Sequence, residues 1–132
     1  MTEIYEYGKR NNYPHMMPAD VAIWERFIAK FQNDYNSDEY DLKVGTIPGF
    51  VSEHPDTAIQ GESALYARKI DVVGHSGPNI DIIELKPRAG MSAIGQVKGY
   101  VQLYKRDLNP GSEPRGVLVT DYVDVDVLEI AK

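Results

Sequence analysis

The sequence predicts an α/β domain in which a mixed β-sheet is flanked by helices. Three observations support this prediction: an amphipathic stretch near the N-terminus, two apolar runs joined by a short turn, and a second amphipathic stretch followed by another apolar run. A strand that follows a crossover helix returns parallel beside its predecessor, so the last apolar run adds a parallel strand to an antiparallel hairpin. The predicted order is therefore helix, strand, hairpin, helix, strand, helix.

The first predicted helix covers residues 18–35. Its apolar residues recur at spacings of three and four, with a proline near the start, as in a helix that buries one face. The segment EYDLKVGTIP, residues 39–48, then alternates apolar and polar residues before glycine and proline, which indicates a strand. Residues 1–17 are expected to form an irregular N-terminal arm, and residues 49–63 a loop.

A hairpin is predicted where the run LYARKIDVVGH is joined to NIDIIELK by the turn residues SGP. Its second strand is continuously apolar and therefore central in the sheet. Residues 91–108, MSAIGQVKGYVQLYKRDL, keep an apolar stripe in spite of two glycines and predict a helix against which something packs closely. Residues 115–121 predict a buried strand, and a last helix is expected to start at Asp124 and Asp126.

Composition limits the classes of protein that the chain can belong to. Its 132 residues, 42% hydrophobic and 26% charged, fit one globular domain, residues 1–132, whose core is residues 18–132. The absence of cysteine excludes disulfides, thiolate metal sites and a cysteine nucleophile. No apolar run is long enough to span a membrane and no secretory leader is visible, so we expect a cytoplasmic protein without a membrane partner.

Charge is distributed unevenly along the chain. The net charge of −6 argues against binding to nucleic acid, because phosphates are neutralised by lysine and arginine. From Leu65 to Arg115, however, eight Lys or Arg face five Asp or Glu, whereas the remainder holds six against fifteen. The central part of the chain is thus locally basic, either as an ordinary solvated surface or as a surface that binds an anion.

An acidic pair and a lysine lie at the ends of the two hairpin strands. Glu84 and Lys86 are two residues apart on one strand, so they project to the same face. Pairing about the turn at residues 76–78 places Asp71 next to Glu84. Converging carboxylates are suitable ligands for Mg²⁺, and a neighbouring lysine can orient or deprotonate a metal-bound water. This arrangement indicates phosphodiester hydrolysis.

Gln96 and Tyr100, four residues apart, share one face of the following helix. Their amide and phenol can hydrogen-bond a phosphate or a base edge. The alternative is that this face simply packs against the sheet.

The segments KIDVV, IIELK and QVKGY, in this order, resemble the motifs of the PD-(D/E)XK nuclease superfamily, and QVKGY is similar to the Q-x-x-x-Y motif of RecB-like nucleases. The stretch from IELKPRAG to GVLVTD particularly resembles the catalytic domain of the NucS/EndoMS endonucleases. The resemblance implies a restriction-endonuclease-like core of helix, three-strand meander, helix and strand. It also implies a Mg²⁺- or Mn²⁺-dependent DNA nuclease acting in DNA repair, recombination or replication.

The same resemblance assigns roles to individual residues. The implied metal ligands are Asp71, Glu84 and the main-chain carbonyl of Leu85, and the implied catalytic residues are Asp71, Glu84 and Lys86. The implied DNA-binding residues are Gln96, Tyr100, Lys98 and Arg88. A further acid often comes from the first helix or from the segment before the meander, where Glu25 and Glu62 are candidates, although both are more often plain surface acids.

The implied partner is DNA. The family's separate DNA-binding or dimerisation domain has no counterpart in this sequence, so a homodimer or a partner protein is expected to supply further DNA-binding surface. The alternative interpretation is a non-catalytic module on the same fold that binds nucleic acid or protein.

Overall fold

In the computed structural model, which describes residues 3–45 and 68–131, five strands form one sheet and three helices lie against it. In chain order the elements are β1 (Ile4–Glu6), α1 (Pro18–Lys30), β2 (Ser37–Val44), β3 (Arg68–Ser76), β4 (Asn79–Ala89), α2 (Met91–Leu108), β5 (Arg115–Val123) and α3 (Val125–Ala131). The predicted α/β class with a mixed, helix-flanked sheet is confirmed.

The strands lie in sequence order across the sheet, β1-β2-β3-β4-β5. The first three neighbouring pairs are antiparallel, and β5 is parallel to β4. A parallel neighbour needs a crossover, and α2 provides it. The predicted return of the last strand beside β4 is therefore confirmed.

The hairpin between β3 and β4 has the predicted turn. Ser76 faces Asn79 across Gly77 and Pro78, and the φ angle of Gly77 is 58°, in the region that favours glycine. Val72 consequently faces Ile83, so the predicted register is correct to within one residue.

Alternating residues of the sheet divide the core into two layers. Val72, Ile83 and Leu85 pack with Trp24 and Ile28 of α1, and we call this layer the α1-side core. The α2-side core lies on the opposite face, and its buried members are Leu42, Val44, Ile70, Val73, Ile82, Tyr100 and Tyr104. Each fully buried side chain of this size contributes about 1.5–3 kcal/mol through removal from water.

Helix α1 is shorter than predicted, since it ends at Lys30 rather than at residue 35. Tyr35 nevertheless remains buried, and its hydroxyl donates a 2.6 Å hydrogen bond to the Asp81 carboxylate. Tyr35 continues the apolar spacing of α1 after the helix has ended, because the chain there turns back onto the α1-side core. Asn36 then accepts a hydrogen bond from the Gly77 amide, which ties this turn to the hairpin.

The N-terminal arm is not irregular throughout, contrary to prediction, because Ile4–Glu6 pair with Ser37–Glu39 as strand β1. Three residues are too few to show the alternation that identifies a strand. Tyr5, Tyr7 and Tyr13 of this arm pack against the α1-side core, which explains its richness in tyrosine.

The last strand was predicted to be buried, but it is not. Strand β5 is an edge of the sheet, and Val117, Leu118, Val119 and Thr120 are only half-buried. An apolar run alone does not distinguish an edge strand from a central one. Asp124 caps α3 as predicted, because its carboxylate accepts the Val127 amide hydrogen at 2.9 Å.

The glycines of α2 are also not sites of close packing. A Cβ atom built on Gly95 or Gly99 meets no atom within 4 Å in the described part of the chain. The close approaches occur at sheet glycines instead: a Cβ on Gly74 would lie 2.7 Å from the Tyr35 ring, and one on Gly116 would lie 2.6 Å from Val97.

The predicted loop at residues 49–63 lies outside the described residues. None of the helices in the described ranges is long and apolar enough to cross a lipid bilayer.

Gly74→Ala and Gly99→Ala should change stability in opposite directions. The Gly74 variant should lose about 1–3 kcal/mol, because the Tyr35 ring is held by Asp81 and cannot move aside. The Gly99 variant should gain about 0.5–1 kcal/mol, since its methyl group enters open space in a helix interior. Urea unfolding of both variants measures the difference, and a stable Gly74 variant would contradict the packing described here.

Candidate active site

The sheet divides next to the acidic pair. Strand β3 pairs with β4 from Ser76↔Asn79 to Val72↔Ile83. Beyond that point, among the described strands, β3 pairs with β2 alone, and β4 pairs with β5 as far as Ala89. The two central strands therefore separate, and a gap opens between them.

Asp71 lies where this gap begins. Its carboxylate accepts a 2.8 Å hydrogen bond from the backbone amide of Leu85 in β4. The side chain of Asp71 thus occupies the place that a strand carbonyl would take in a continued ladder. This hydrogen bond holds the carboxylate beside Glu84, as the sequence had predicted.

Glu84 is buried beside Asp71, and the two carboxyl groups share a hydrogen bond. Burial, and then the charge of Asp71, raise the pKa of Glu84 to about 8. Burial also raises the pKa of Asp71, while the hydrogen bond from Leu85 opposes that rise. The pair therefore retains a proton at neutral pH.

One carboxylate oxygen of Glu84 has no hydrogen-bond partner among the described residues. Within the described ranges, only Glu84 Oε2 and Asp38 Oδ1 are buried side-chain atoms without a hydrogen-bond partner. Asp38 lies in the core, where its other oxygen accepts from the Tyr40 hydroxyl at 3.0 Å. A buried oxygen without a partner is costly, and next to a second carboxylate it is suited to a cation.

Asp20 is the acid of α1 whose charge acts on this pair. Its charge contributes to the raised pKa of both Asp71 and Glu84. Burial raises the pKa of Asp20 itself, and the charge of Lys86 opposes that rise. Asp20, in the first turn of α1, therefore lies within electrostatic range of the acidic pair. Lys86, half-buried two residues after Glu84, completes a group of three acids and one lysine.

Asp20 was not predicted from the sequence, which suggested Glu25 as the further acid of the first helix. Five residues along a helix correspond to a rotation of about 140°, so the two acids project from different faces of α1. The Glu25 carboxylate accepts a 3.0 Å hydrogen bond from the Tyr13 hydroxyl, which gives it a structural role. The apolar spacing of α1 could have identified Asp20, because Asp20 precedes the buried Ile23 and Trp24 by three and four residues and so lies on the same side of the helix. Glu62 lies outside the described residues.

Gln96 and Tyr100 meet on α2 as predicted, and the Gln96 amide donates a 2.9 Å hydrogen bond to the Tyr100 hydroxyl. Tyr100 is buried in the α2-side core, so the packing alternative is also correct for its ring. Its hydroxyl lies within the electrostatic influence of Glu84 and Asp71, which add to the effect of burial in raising its pKa. Both residues, with Arg68, line a surface cavity of about 400 Å³.

Lys98 and Arg88 are not part of this group. Lys98 lines a separate groove of about 690 Å³ between α2 and β5, with Val101 and Leu118. The guanidinium of Arg88 lies 5.0 Å from the ring centre of the exposed Tyr122. Their contacts with DNA stay predictions.

The arrangement is chemically suited to a hard divalent cation with few protein ligands. No three His, Asp or Glu side chains within residues 3–45 and 68–131 are grouped closely enough to enclose a metal ion. Asp71, the unpartnered oxygen of Glu84 and the Leu85 carbonyl are oxygen donors, and Mg²⁺ accepts one or two carboxylates while it keeps several waters. The donor set therefore fits Mg²⁺ or Mn²⁺ and not a structural zinc site.

Glu84→Gln should remove a pH-dependent loss of stability. The folded carboxyl has a pKa near 8, above its ordinary 4.5, so unfolding releases a proton and the free energy of unfolding falls as pH rises from about 5 to 8. In EDTA at pH 8, the free energy of unfolding measured in urea should be larger for the variant than for the wild type. The exposed Glu113→Gln is the control, and equal pH profiles for Glu84→Gln and wild type would contradict the assignment.

Comparison with known proteins identifies the family of the chain. Residues 52–132, more than half of the chain, match the family described as the endonuclease NucS C-terminal domain. No curated protein and no solved structure matches the sequence. The matched range contains Asp71, Glu84 and Lys86, whereas Asp20 precedes it. The chain belongs to the family of the endonuclease NucS C-terminal domain.

Proposed function

We propose that this protein is a metal-dependent DNA nuclease that hydrolyses phosphodiester bonds. The observation that carries the proposal is the convergence of Asp71 and Glu84 in the gap between β3 and β4, where one buried oxygen of Glu84 has no partner among the described residues. Membership of an endonuclease family supports the same reaction class. Two hydrogen-bonded carboxyls next to a lysine have no evident value for folding, since buried acids repel each other when ionised.

In this proposal Asp71, Glu84 and the Leu85 carbonyl hold Mg²⁺ or Mn²⁺. The bound ion would supply an activated water and would neutralise charge on the phosphate. The hydrogen bond from the Leu85 amide keeps the Asp71 carboxylate in place. Leu85 would thus orient one metal ligand with its amide and provide another with its carbonyl.

Lys86 is the residue that we assign to proton transfer and charge stabilisation. It follows Glu84 on the same strand face, and its half-buried position limits its contact with bulk water. From there its ammonium group can orient the attacking water or stabilise the charge that develops on the phosphate. The charges of Asp20 and Lys86 lie within electrostatic range of each other.

DNA binding is assigned to the α2 side of the site. Gln96 and Tyr100 are neutral hydrogen-bonding groups beside the acids, and Arg68 adds a positive charge to the same cavity. These groups can hold a strand without repelling its phosphates. Because the chain as a whole carries a charge of −6, tight binding is expected to need further basic surface from a second copy or a partner protein.

Cleavage assays test the proposed reaction directly. Glu84→Gln should lower the rate of cleavage at least about 10³-fold and Lys86→Met about 10²–10⁴-fold, because each removes a group required in the transition state. End-labelled single-stranded, duplex, mismatched and branched DNA are incubated with Mg²⁺, Mn²⁺ or EDTA. Glu113→Gln, which changes an exposed acid, should cleave at the wild-type rate.

Two results would overturn the proposal. If Glu84→Gln cleaves as fast as the wild type, the cleavage activity does not depend on the acidic pair. If the wild type cuts none of these substrates with either metal but still binds DNA, the protein is a binding module on a nuclease fold.

Metal binding should release a proton. At pH 7 the pKa of Glu84, near 8, keeps the carboxyl protonated, and a cation displaces this proton when it binds. Titration calorimetry with Mn²⁺ in two buffers of different ionisation enthalpy should show release of about one proton at pH 7 and little at pH 9. Glu84→Gln should show none, and proton uptake by the wild type would contradict this ligand assignment.

A further inference from the structure

Strand β2 contains a residue in an unusual backbone conformation. Asp41 has a φ angle of 56°, in the left-handed region that L-amino acids other than glycine seldom adopt. Aspartate and asparagine are the side chains that tolerate this region best. A strand interior has no general need for such a residue, so the conformation requires a local cause.

The position of Asp41 in the sheet suggests that cause. Tyr40 pairs with Val72 and Leu42 pairs with Ile70, so Asp41 lies directly opposite Asp71. The left-handed residue therefore shares a rung with the acid that begins the gap between β3 and β4.

Both strands turn over at this rung. Tyr40 and Val72 belong to the α1-side core, whereas Leu42 and Ile70, two residues farther along, belong to the α2-side core. Residues two apart on a regular strand point to the same face. The left-handed residue allows the β2–β3 pair to exchange its faces without losing register.

The turnover coincides with the separation of β3 from β4. The last paired rung of these strands is Val72↔Ile83, one residue before Asp71. Since β3 follows β2 through the turnover, it leaves β4 there, and the Leu85 amide becomes available to the Asp71 carboxylate.

We propose that Asp41 is a positioning residue whose left-handed backbone turns the β2–β3 pair over and so opens the gap in which Asp71 meets Glu84. Its effect on cleavage rests on the proposed nuclease function, whereas its effect on the Asp71–Leu85 hydrogen bond does not. The backbone of Asp41 matters here rather than its charge. Its ion pair with Lys69 contributes little, because Lys69 Nζ lies 3.9 Å from the Asp41 carboxylate and is half-exposed.

Substitutions at position 41 distinguish backbone from charge. Asp41→Gly and Asp41→Asn keep access to the left-handed region, and both remove the charge. Asp41→Ala and Asp41→Val keep the length of the strand but disfavour that region, valine most strongly. Lys43→Val, at an exposed position two residues along β2, is the matched control for adding a β-branched apolar residue.

The first readout is amide hydrogen exchange measured by NMR without metal. Asp41→Val should reduce protection of the Leu85 amide about tenfold or more relative to that of Asp81, which faces Gly74 well inside the paired part of the hairpin. Asp41→Gly, Asp41→Asn and Lys43→Val should stay within about twofold of the wild type. If Asp41→Val does not fold, Asp41→Ala is expected to show the same selective loss.

Two outcomes of the exchange experiment would overturn the positioning role. An equal loss of protection at Leu85 and Asp81 would show a general destabilisation, and a loss in Asp41→Asn as large as in Asp41→Val would show that the charge is responsible. The second readout is Mn²⁺ affinity and cleavage, which should fall about tenfold or more in the alanine and valine variants alone. If the wild type neither binds Mn²⁺ nor cleaves but the Leu85 result holds, the positioning role stands and the nuclease proposal fails.

Discussion

The hydrogen bond from the Leu85 amide to the Asp71 carboxylate is the interaction on which the candidate site depends. It forms where β3 leaves β4, and it joins two strands that no longer share a backbone ladder. Without it the buried Leu85 amide would lose its partner, which costs about 1–3 kcal/mol, and the half-buried Asp71 carboxylate would lose its orientation. The surrounding architecture supports this single contact: β3 stays paired with β2, β5 continues along β4, and helices α1 and α2 pack on opposite faces of the sheet.

This arrangement concentrates negative charge where the fold has little means of solvating it. The hydrogen bond from Leu85 holds Asp71 beside the buried Glu84, and the charge of Asp20 at the start of α1 acts on both. The fold tolerates them because they share a proton and because Lys86 supplies one positive charge. The stability needed to hold such a group comes from elsewhere, chiefly from the aromatic packing of Trp24, Phe27 and Tyr35 on the α1 side. A bound cation would remove the repulsion between these carboxylates, so metal binding would increase the free energy of unfolding.

The elements that the sequence predicts well are those whose hydrophobic period is long or whose turn is specific. Helix α2 was predicted at 91–108, its observed limits, and the Gly77-Pro78 turn placed Asp71 beside Glu84 to within one residue. Strand β1 and the end of α1 were missed because three residues carry no period, and because Tyr35 keeps a helical spacing after the helix has ended. The exposure of β5 was missed because its neighbours in space, not its own residues, decide whether it is an edge.

For the candidate site, the sequence by itself determined the chemical groups and their local order: the acid, lysine, glutamine and tyrosine lie on elements whose faces follow from periods of 2.0 and 3.6 residues. It also determined that β5 returns beside β4, because the crossover rule depends only on connectivity. Only the tertiary structure decided that the charge of Asp20 rather than that of Glu25 acts on the pair, since the rotation of α1 is set by how it packs on the sheet. The same holds for the turnover at Asp41, which exists because two strands must bend together, a constraint that no single segment contains.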